Sequence, residues 1–428
     1  MKTFIIILIA FCSSLTGNAQ TFVADKASAN TFDLANAIIY VDAADHQLVQ
    51  TAARHLQADL EKVLQKKLPL VNKKPATADA LIIIGSVDKS PIIKELDISK
   101  KLNTQDLAKQ WEGYQIKTFK NPFAGIKQAL VISGSDRRGT AYGVFELSRQ
   151  AGVSPWYWWA DVPVKGKTNI FVNNNITISD APKVKFRGIF INDEAPALSS
   201  WTREKNGGFN HKLYEKVFEL MLRLKANYLW PTMWGNAFYD DDTLNIKKAE
   251  EYGIVIGTSH HEPLMRAHDE WRRYGQGKWN YDSNAKVLQQ FWHGGMQRAT
   301  NEKIVSIGMR GDGDEPMTEE TATALLERIV AEQRKIITDV TGKPAEQTPQ
   351  LWALYKEVQD YYDKGMRVPD DVTLLLSDDN WGNIRRLPKP EEKDRKGGYG
   401  IYYHFDYVGG PRNYKWINTN PIPRVWEQ

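Results

Sequence analysis

Apolar positions along the chain fall into two textures. In the first, residues 37–41 form a short apolar run that predicts a strand. From His46 to Gln65, Leu48, Ala52, Leu56, Leu60 and Leu64 recur at helical spacing and predict an amphipathic helix. Leu81–Ile84 closed by Gly85, and Ala129–Ile132 closed by Ser-Gly, predict two buried strands. Arg138–Gln150 predicts a helix stopped by Gly152. No phosphate-binding glycine loop follows any of these strands, so nothing supports a nucleotide role.

From Lys185 onward each apolar run is followed by carboxylates, histidines or aromatics. Phe186–Ile191 leads into Asn192-Asp193-Glu194, and Asn227–Trp230 into Pro231 and Trp234. Gly253–Ile256 leads into Ser259-His260-His261-Glu262, and Ile304–Met309 into Arg310-Gly-Asp-Gly-Asp-Glu315. Val372–Leu376 leads into Ser377-Asp-Asp-Asn-Trp381, and Gly400–Tyr403 into His404 and Tyr407. His211–Lys225 and Thr321–Thr341 predict helices. Functional residues gathered behind alternating strands and helices are the pattern of a β/α barrel. The expected fold is therefore α/β: an N-terminal α/β domain over residues 20–181, then a (β/α)8 barrel over 182–428. Six strands are plain and a seventh is weaker, between Trp352 and Tyr355, because residues 351–364 read equally as a helix. No eighth unit fits before Gln428, so the barrel is expected to be incomplete and the chain a fragment.

Composition narrows the chemistry. Of 428 residues, 42% are apolar and 25% charged, ordinary for a globular protein with a sizeable core. The formal charge of +4 comes without a basic run, which argues against nucleic acid or an anionic membrane as partner. Residues 1–19 carry Lys2, an apolar run and a Gly-Asn-Ala end, and so predict a secretory signal peptide with a secreted or periplasmic product. The single cysteine, Cys12, lies inside that leader, which removes disulfides and thiol catalysis from the mature chain. No Gly-x-Ser-x-Gly elbow is present, and His260-His261-Glu262 lacks zinc-helix spacing. No cofactor or metal is expected.

Carboxylates at strand ends beside Trp, Tyr and His suit a glycoside hydrolase, which needs one protonated acid and one carboxylate. The candidates are Asp193, Glu194, Asp312, Asp314, Glu315, Asp378 and Asp379, and the residues alone do not rank them. Asp193-Glu194 resembles the catalytic pair of hexosaminidases, although it follows the first strand rather than a later one. Val153-Ser-Pro-Trp-Tyr-Trp-Trp-Ala-Asp-Val-Pro163 predicts a buried plug, in preference to a sugar platform.

That tryptophan-rich run, together with Gly308–Pro316, Ser377–Gly382 and Tyr402–Pro411, resembles glycoside hydrolase family 115, the xylan α-1,2-glucuronidases. The resemblance implies inverting removal of glucuronic acid or its 4-O-methyl ether from glucuronoxylan. It implies Glu357 as a catalytic glutamate suited to the general acid and Asp314 as the other essential acid, with the division of acid and base roles between them open. It also implies Arg310, Asn380, His404 and Tyr407 as lining of the glucuronate pocket. Trp234, His261 and Trp381 join the pocket candidates by position. Arg310 suits bidentate pairing with a uronate. Two alternatives stand beside this: a hexosaminidase-like enzyme using Asp193 and Glu194, and an inactive carbohydrate-binding fragment. The sequence carries no expectation of oligomeric state.

Overall fold

The computed structural model describes residues 22–24, 26–192, 195–317, 322–392, 394–412, 415–416 and 419–427. The predicted leader over residues 1–19 and the Asp193-Glu194 pair lie outside the described residues. The chain divides into two compact units, the first ending at Lys185 and the second beginning at Phe186. No helix among the described residues is long and apolar enough to cross a membrane.

The first unit is an α/β layer structure. Its main strands and helices are β1 (Ile38–Val41), α1 (Gln47–Leu64), β2 (Leu70–Val71), β3 (Ala78–Ser86), α2 (Pro91–Ile98), β4 (Tyr114–Phe123), β5 (Ile126–Gly134), α3 (Arg137–Ala151) and β6 (Thr177–Asp180). They form a six-stranded sheet in the order β2-β1-β3-β5-β4-β6. β2, β1, β3 and β5 run parallel, whereas β4 is antiparallel to both neighbours. Ile82–Ile84 and Leu130–Ile132 are fully buried, which is why these strands read as unbroken apolar runs. α3 starts where the Asp136 side chain accepts from the amides of Arg138 and Gly139, and stops at Gly152 with φ 115°. The aromatic run after α3 is not the fully buried plug expected from sequence. Trp156 is 45% exposed, and Trp158 meets Trp159 edge-on at 5.0 Å.

Among the described residues the second unit carries seven short parallel strands in chain order. They are β7 (Gly188–Phe190), β8 (Tyr228–Trp230), β9 (Val255–Ile256), β10 (Val305–Ser306), β11 (Gln350–Leu354), β12 (Thr373–Ser377) and β13 (Tyr399–Tyr402). An isolated parallel bridge, Ile256 to Lys303, joins the β7–β9 group to the β10–β13 group. The stretch that sequence left open between strand and helix is both: β11 ends at Leu354, and α4 (Glu357–Asp363) begins three residues later. The sheet curls around an aromatic core of Trp230, Tyr355 and Tyr402 with Val255, Ile304 and Leu351. Rings from the first and last strands meet there, Phe190 and Tyr402 at 5.8 Å. Gly257 makes room for this packing, since a Cβ there would lie 2.1 Å from the Tyr228 hydroxyl.

One clamp fixes the strand that leads to the acidic loop. Gln333, fully buried on the helix Ala322–Thr341, accepts from the Gly308 amide at 2.7 Å and donates to the Gly308 carbonyl at 2.8 Å. Replacing Gln333 by Leu strands two buried backbone groups. Urea unfolding should show a loss of about 2–4 kcal/mol, in the range expected for unmade buried hydrogen bonds; an unchanged midpoint would mean water takes over the clamp.

Candidate active site

The residues that bear chemistry sit in the loops after the strands. Behind β10, Arg310 is only 2% exposed, yet it carries a charge. Its compensation comes from two loops. Nε and Nη2 donate to the two oxygens of Glu357 at 2.7 and 2.8 Å, a bidentate fork, and Nη1 lies against Asp314 Oδ1. Asp314 lies on the same loop as Arg310, at φ 71°. Glu357 is the first residue of α4, behind β11. One guanidinium thus holds together two carboxylates from successive strand ends.

Further groups surround Asp314. His260 Nε2 meets Oδ1 at 2.9 Å, and His261 Nδ1 lies 3.6 Å from the same oxygen. The Lys356 ammonium lies 3.7 Å from Oδ2. Burial, with Arg310 as the second cause, holds the His260 imidazole well below its usual range. Burial also lowers His261, with the neighbouring histidines adding to it. Both rings are neutral at physiological pH, so His260 reaches Asp314 as an Nε2–H donor. His260, His261 and Asp314 offer ligand atoms within 4.8 Å of one another, a spacing that could hold a metal ion. Arg310 and Lys356 already stand as cations on that carboxylate and oppose another.

A second wall begins at Tyr355. Its ring lies 4.5 Å from His260 and 5.5 Å from His404, with the Arg310 guanidinium 5.8 Å from its centroid. The Tyr355 hydroxyl lies within 3.4 Å of the Asn380 amide group. His404 stacks on Tyr407 at 4.3 Å, and its Nδ1 is held by Asp378 Oδ1 at 2.5 Å. That buried carboxylate fixes the ring and leaves Nε2 without a hydrogen-bond partner among the described residues. Arg310, Asp314, Glu357, Asn380, His404 and Tyr407 therefore form one connected cluster.

The three candidates chosen by position divide. Trp234, 45% exposed, stacks on His261 at 5.6 Å, and both line a cavity of 340 Å³ with Glu262, His268 and Asp312. Trp381 is 59% exposed and packs on Gly409; no contact among the described residues ties it to the cluster. Asp312 belongs to the cavity through His268 Nε2 at 2.9 Å, and Asp379 caps its own turn through the amides of Trp381 and Asn383. Sequence reasoning missed Tyr355, Lys356 and His268. The first two fell in the stretch read as strand or helix, where no residue type marks the break between Leu354 and Glu357.

Glu262 supports the histidine loop from beneath. It is 3% exposed and accepts from the amides of His268 at 2.8 Å and Ser259 at 3.3 Å. Burial pushes its carboxyl up from 4.5 to about 8.

The profile of glycosyl hydrolase family 115 matches residues 179–428, and that of the glycosyl hydrolase family 67 N-terminus matches residues 21–147. A solved structure described as a family 115 4-O-methyl-α-glucuronidase with specificity for decorated arabinogalactans, BtGH115A, is 34% identical. It aligns with a TM-score of 0.84 over 93% of this chain and 52% of its own, so this chain spans about half the length of that protein. An N-acetyl-β-hexosaminidase of Streptomyces plicatus, 11% identical with a TM-score of 0.54 over 96% of this chain and 80% of its own, is similar in fold alone. Among curated proteins no match is found.

The raised Glu262 carboxyl sets a direction for stability against pH. The unfolded chain ionises this group near 4.5 and the folded chain near 8. Its contribution is therefore complete below 4.5 and is lost as pH rises to about 8, by up to about 1.4 kcal/mol per unit. Glu262→Gln should start about 1 kcal/mol less stable at pH 5, having one acceptor oxygen for two amides. It should then lose less than the parent by pH 8; parallel melting curves for the two proteins across that range would refute the assignment.

Proposed function

Because the chain belongs to glycosyl hydrolase family 115, we propose that it is an exported α-glucuronidase that releases glucuronic acid or 4-O-methylglucuronic acid from glucuronoxylan with inversion. The observation that carries this is the pair Asp314 and Glu357, placed at adjacent strand ends on one buried guanidinium. Inversion uses one carboxyl to protonate the leaving oxygen and the other to take a proton from water on the opposite face of the sugar.

Asp314, ringed by Arg310, Lys356 and the His260 donor, is the base. Glu357 is the acid. A substrate carboxylate brought near it favours its protonated form, so the uronate helps to load the proton it needs. As water attacks the anomeric carbon, its proton passes to Asp314, the glycosidic C–O bond breaks, and the Glu357 proton goes to the departing oxygen. Asn380 and Tyr407 hold the sugar, with the buried His404 stacked against Tyr407, and Trp234, backed by the buried His261, takes the part beyond the cleaved bond. Trp381 is an exposed platform at the rim. Export rests on the leader over residues 1–19.

The relative's specificity for decorated arabinogalactans makes that polymer the second substrate to test. Glucuronic acid release should be followed from both polymers, with Glu357→Gln and Asp314→Asn as variants. Each variant should lose about 10³-fold in kcat, within the range for removal of an acid or base. Release by Glu357→Gln at the parent rate would remove Glu357 from the chemistry. Release from arabinogalactan alone would keep the mechanism and replace xylan as the substrate.

A further inference from the structure

Arg310 was the residue expected to meet the substrate's carboxylate, but its guanidinium is turned into the protein. The side chain is 2% exposed, with Nε and Nη2 on Glu357 and Nη1 against Asp314. A uronate still needs a cation. Among the described residues that contact Asp314 with a basic group, His260, His261 and Arg310 have side chains 4%, 1% and 2% exposed. The Lys356 side chain is 45% exposed.

Two further observations single out Lys356. Its backbone sits at φ 50°, ψ −126°, a conformation costly for any residue with a Cβ, at the junction between β11 and α4. Its ammonium lies 5.1 Å from the Tyr355 ring centroid and 3.7 Å from Asp314 Oδ2, so it stands on the aromatic wall beside the base. Partial burial, with Arg310 as the second cause, lowers its proton affinity somewhat. A compact ammonium on a flexible stem can move between two carboxylates in a way that a fork held by Glu357 cannot.

We propose that Lys356 is the specificity-determining residue for the uronate: its ammonium leaves Asp314 Oδ2 and pairs with the substrate's C6 carboxylate. This rests on the glucuronidase reading and deepens it. Binding a uronate draws the cation off the base, and Oδ2 becomes available to take the proton of the attacking water. A neutral hexoside has nothing with which to draw it off. Recognition of the acid and release of the base are then one movement.

The test compares a glucuronic-acid-decorated xylo-oligosaccharide with the same compound after reduction of its C6 carboxyl to the alcohol. The parent enzyme should favour the acid by at least about 100-fold in kcat/KM, the scale of a charge-assisted pair removed from water. In Lys356→Met the ratio should fall below about 10, most of the loss on the acid appearing in KM. Lys356→Arg should restore part of the ratio. A merely structural role would instead lower both substrates together and leave the ratio as it was, which would overturn the proposal. Calorimetric titration with free glucuronic acid and with glucose provides an independent readout. Lys356→Met should weaken the acid by about tenfold or more relative to the sugar. If the parent cleaves no uronide, the glucuronidase reading fails, and the titration still decides on Lys356. Equal acid affinity in parent and variant would reject it.

Discussion

A buried guanidinium between two carboxylates governs this molecule's chemistry. An arginine taken out of water costs several kcal/mol unless its charge is met. Here Glu357 meets it with two hydrogen bonds and Asp314 with a close contact. The loops after β10 and β11 cannot shift independently, because either shift leaves a charge unpaired in a nearly dry place. Gln333 fixes the start of the same segment by holding both polar groups of Gly308. The interaction that orders the loops is thus also the one that positions the two acids.

Charge counting bears on how such a centre would distinguish the proposed uronate substrate. Asp314 and Glu357 are balanced by Arg310 and Lys356, while burial keeps His260 and His261 neutral. These four groups are electrically even before anything enters. A neutral sugar would leave them so and provide no impulse for a carboxylate to take up a proton. A uronate adds one negative charge to the group, and the cheapest response in a low-dielectric site is protonation of an acid. Specificity and acid loading then have one origin.

Much of this was legible in the sequence because barrel strands announce themselves twice, by an apolar run and by the polar cluster that follows. The strands after Lys185 were readable on that basis, and the family resemblance then singled out Arg310, Asn380, His404 and Tyr407 among the residues behind them. The stretch from Leu351 to Lys364 was not. Its turn is made by a lysine at positive φ, with no glycine to mark the break between strand and helix. The helices His268–Tyr274 and Tyr281–Arg298 were hidden for another reason. Charge ties the first of them down: Glu270 pairs with Arg266 and Arg298, and Asp269 with Arg272 and Arg273. An ion-pair network has no period that a sequence reveals. Arg310 shows a third limit, since its neighbourhood was evident from sequence while the direction of its fork was not.

The backbone records where side-chain demands outweigh local comfort. Asp314, Lys356 and Asn380, behind the consecutive strands β10, β11 and β12, all have positive φ, at 71°, 50° and 66°. Asn and Asp tolerate the left-handed region, because their short polar side chains can bond to nearby backbone. Lysine has no such excuse, and at ψ −126° it stands outside even that region. Glycine would relieve about 1–3 kcal/mol of strain there. Keeping a lysine makes sense if its ammonium does something that a bare backbone cannot. The turn also places Tyr355 on the aromatic wall and Glu357 on Arg310 from one short segment. Three consecutive residues thus supply the wall, an exposed cation and the carboxylate on Arg310, and the strained conformation of the middle one is the condition for all three.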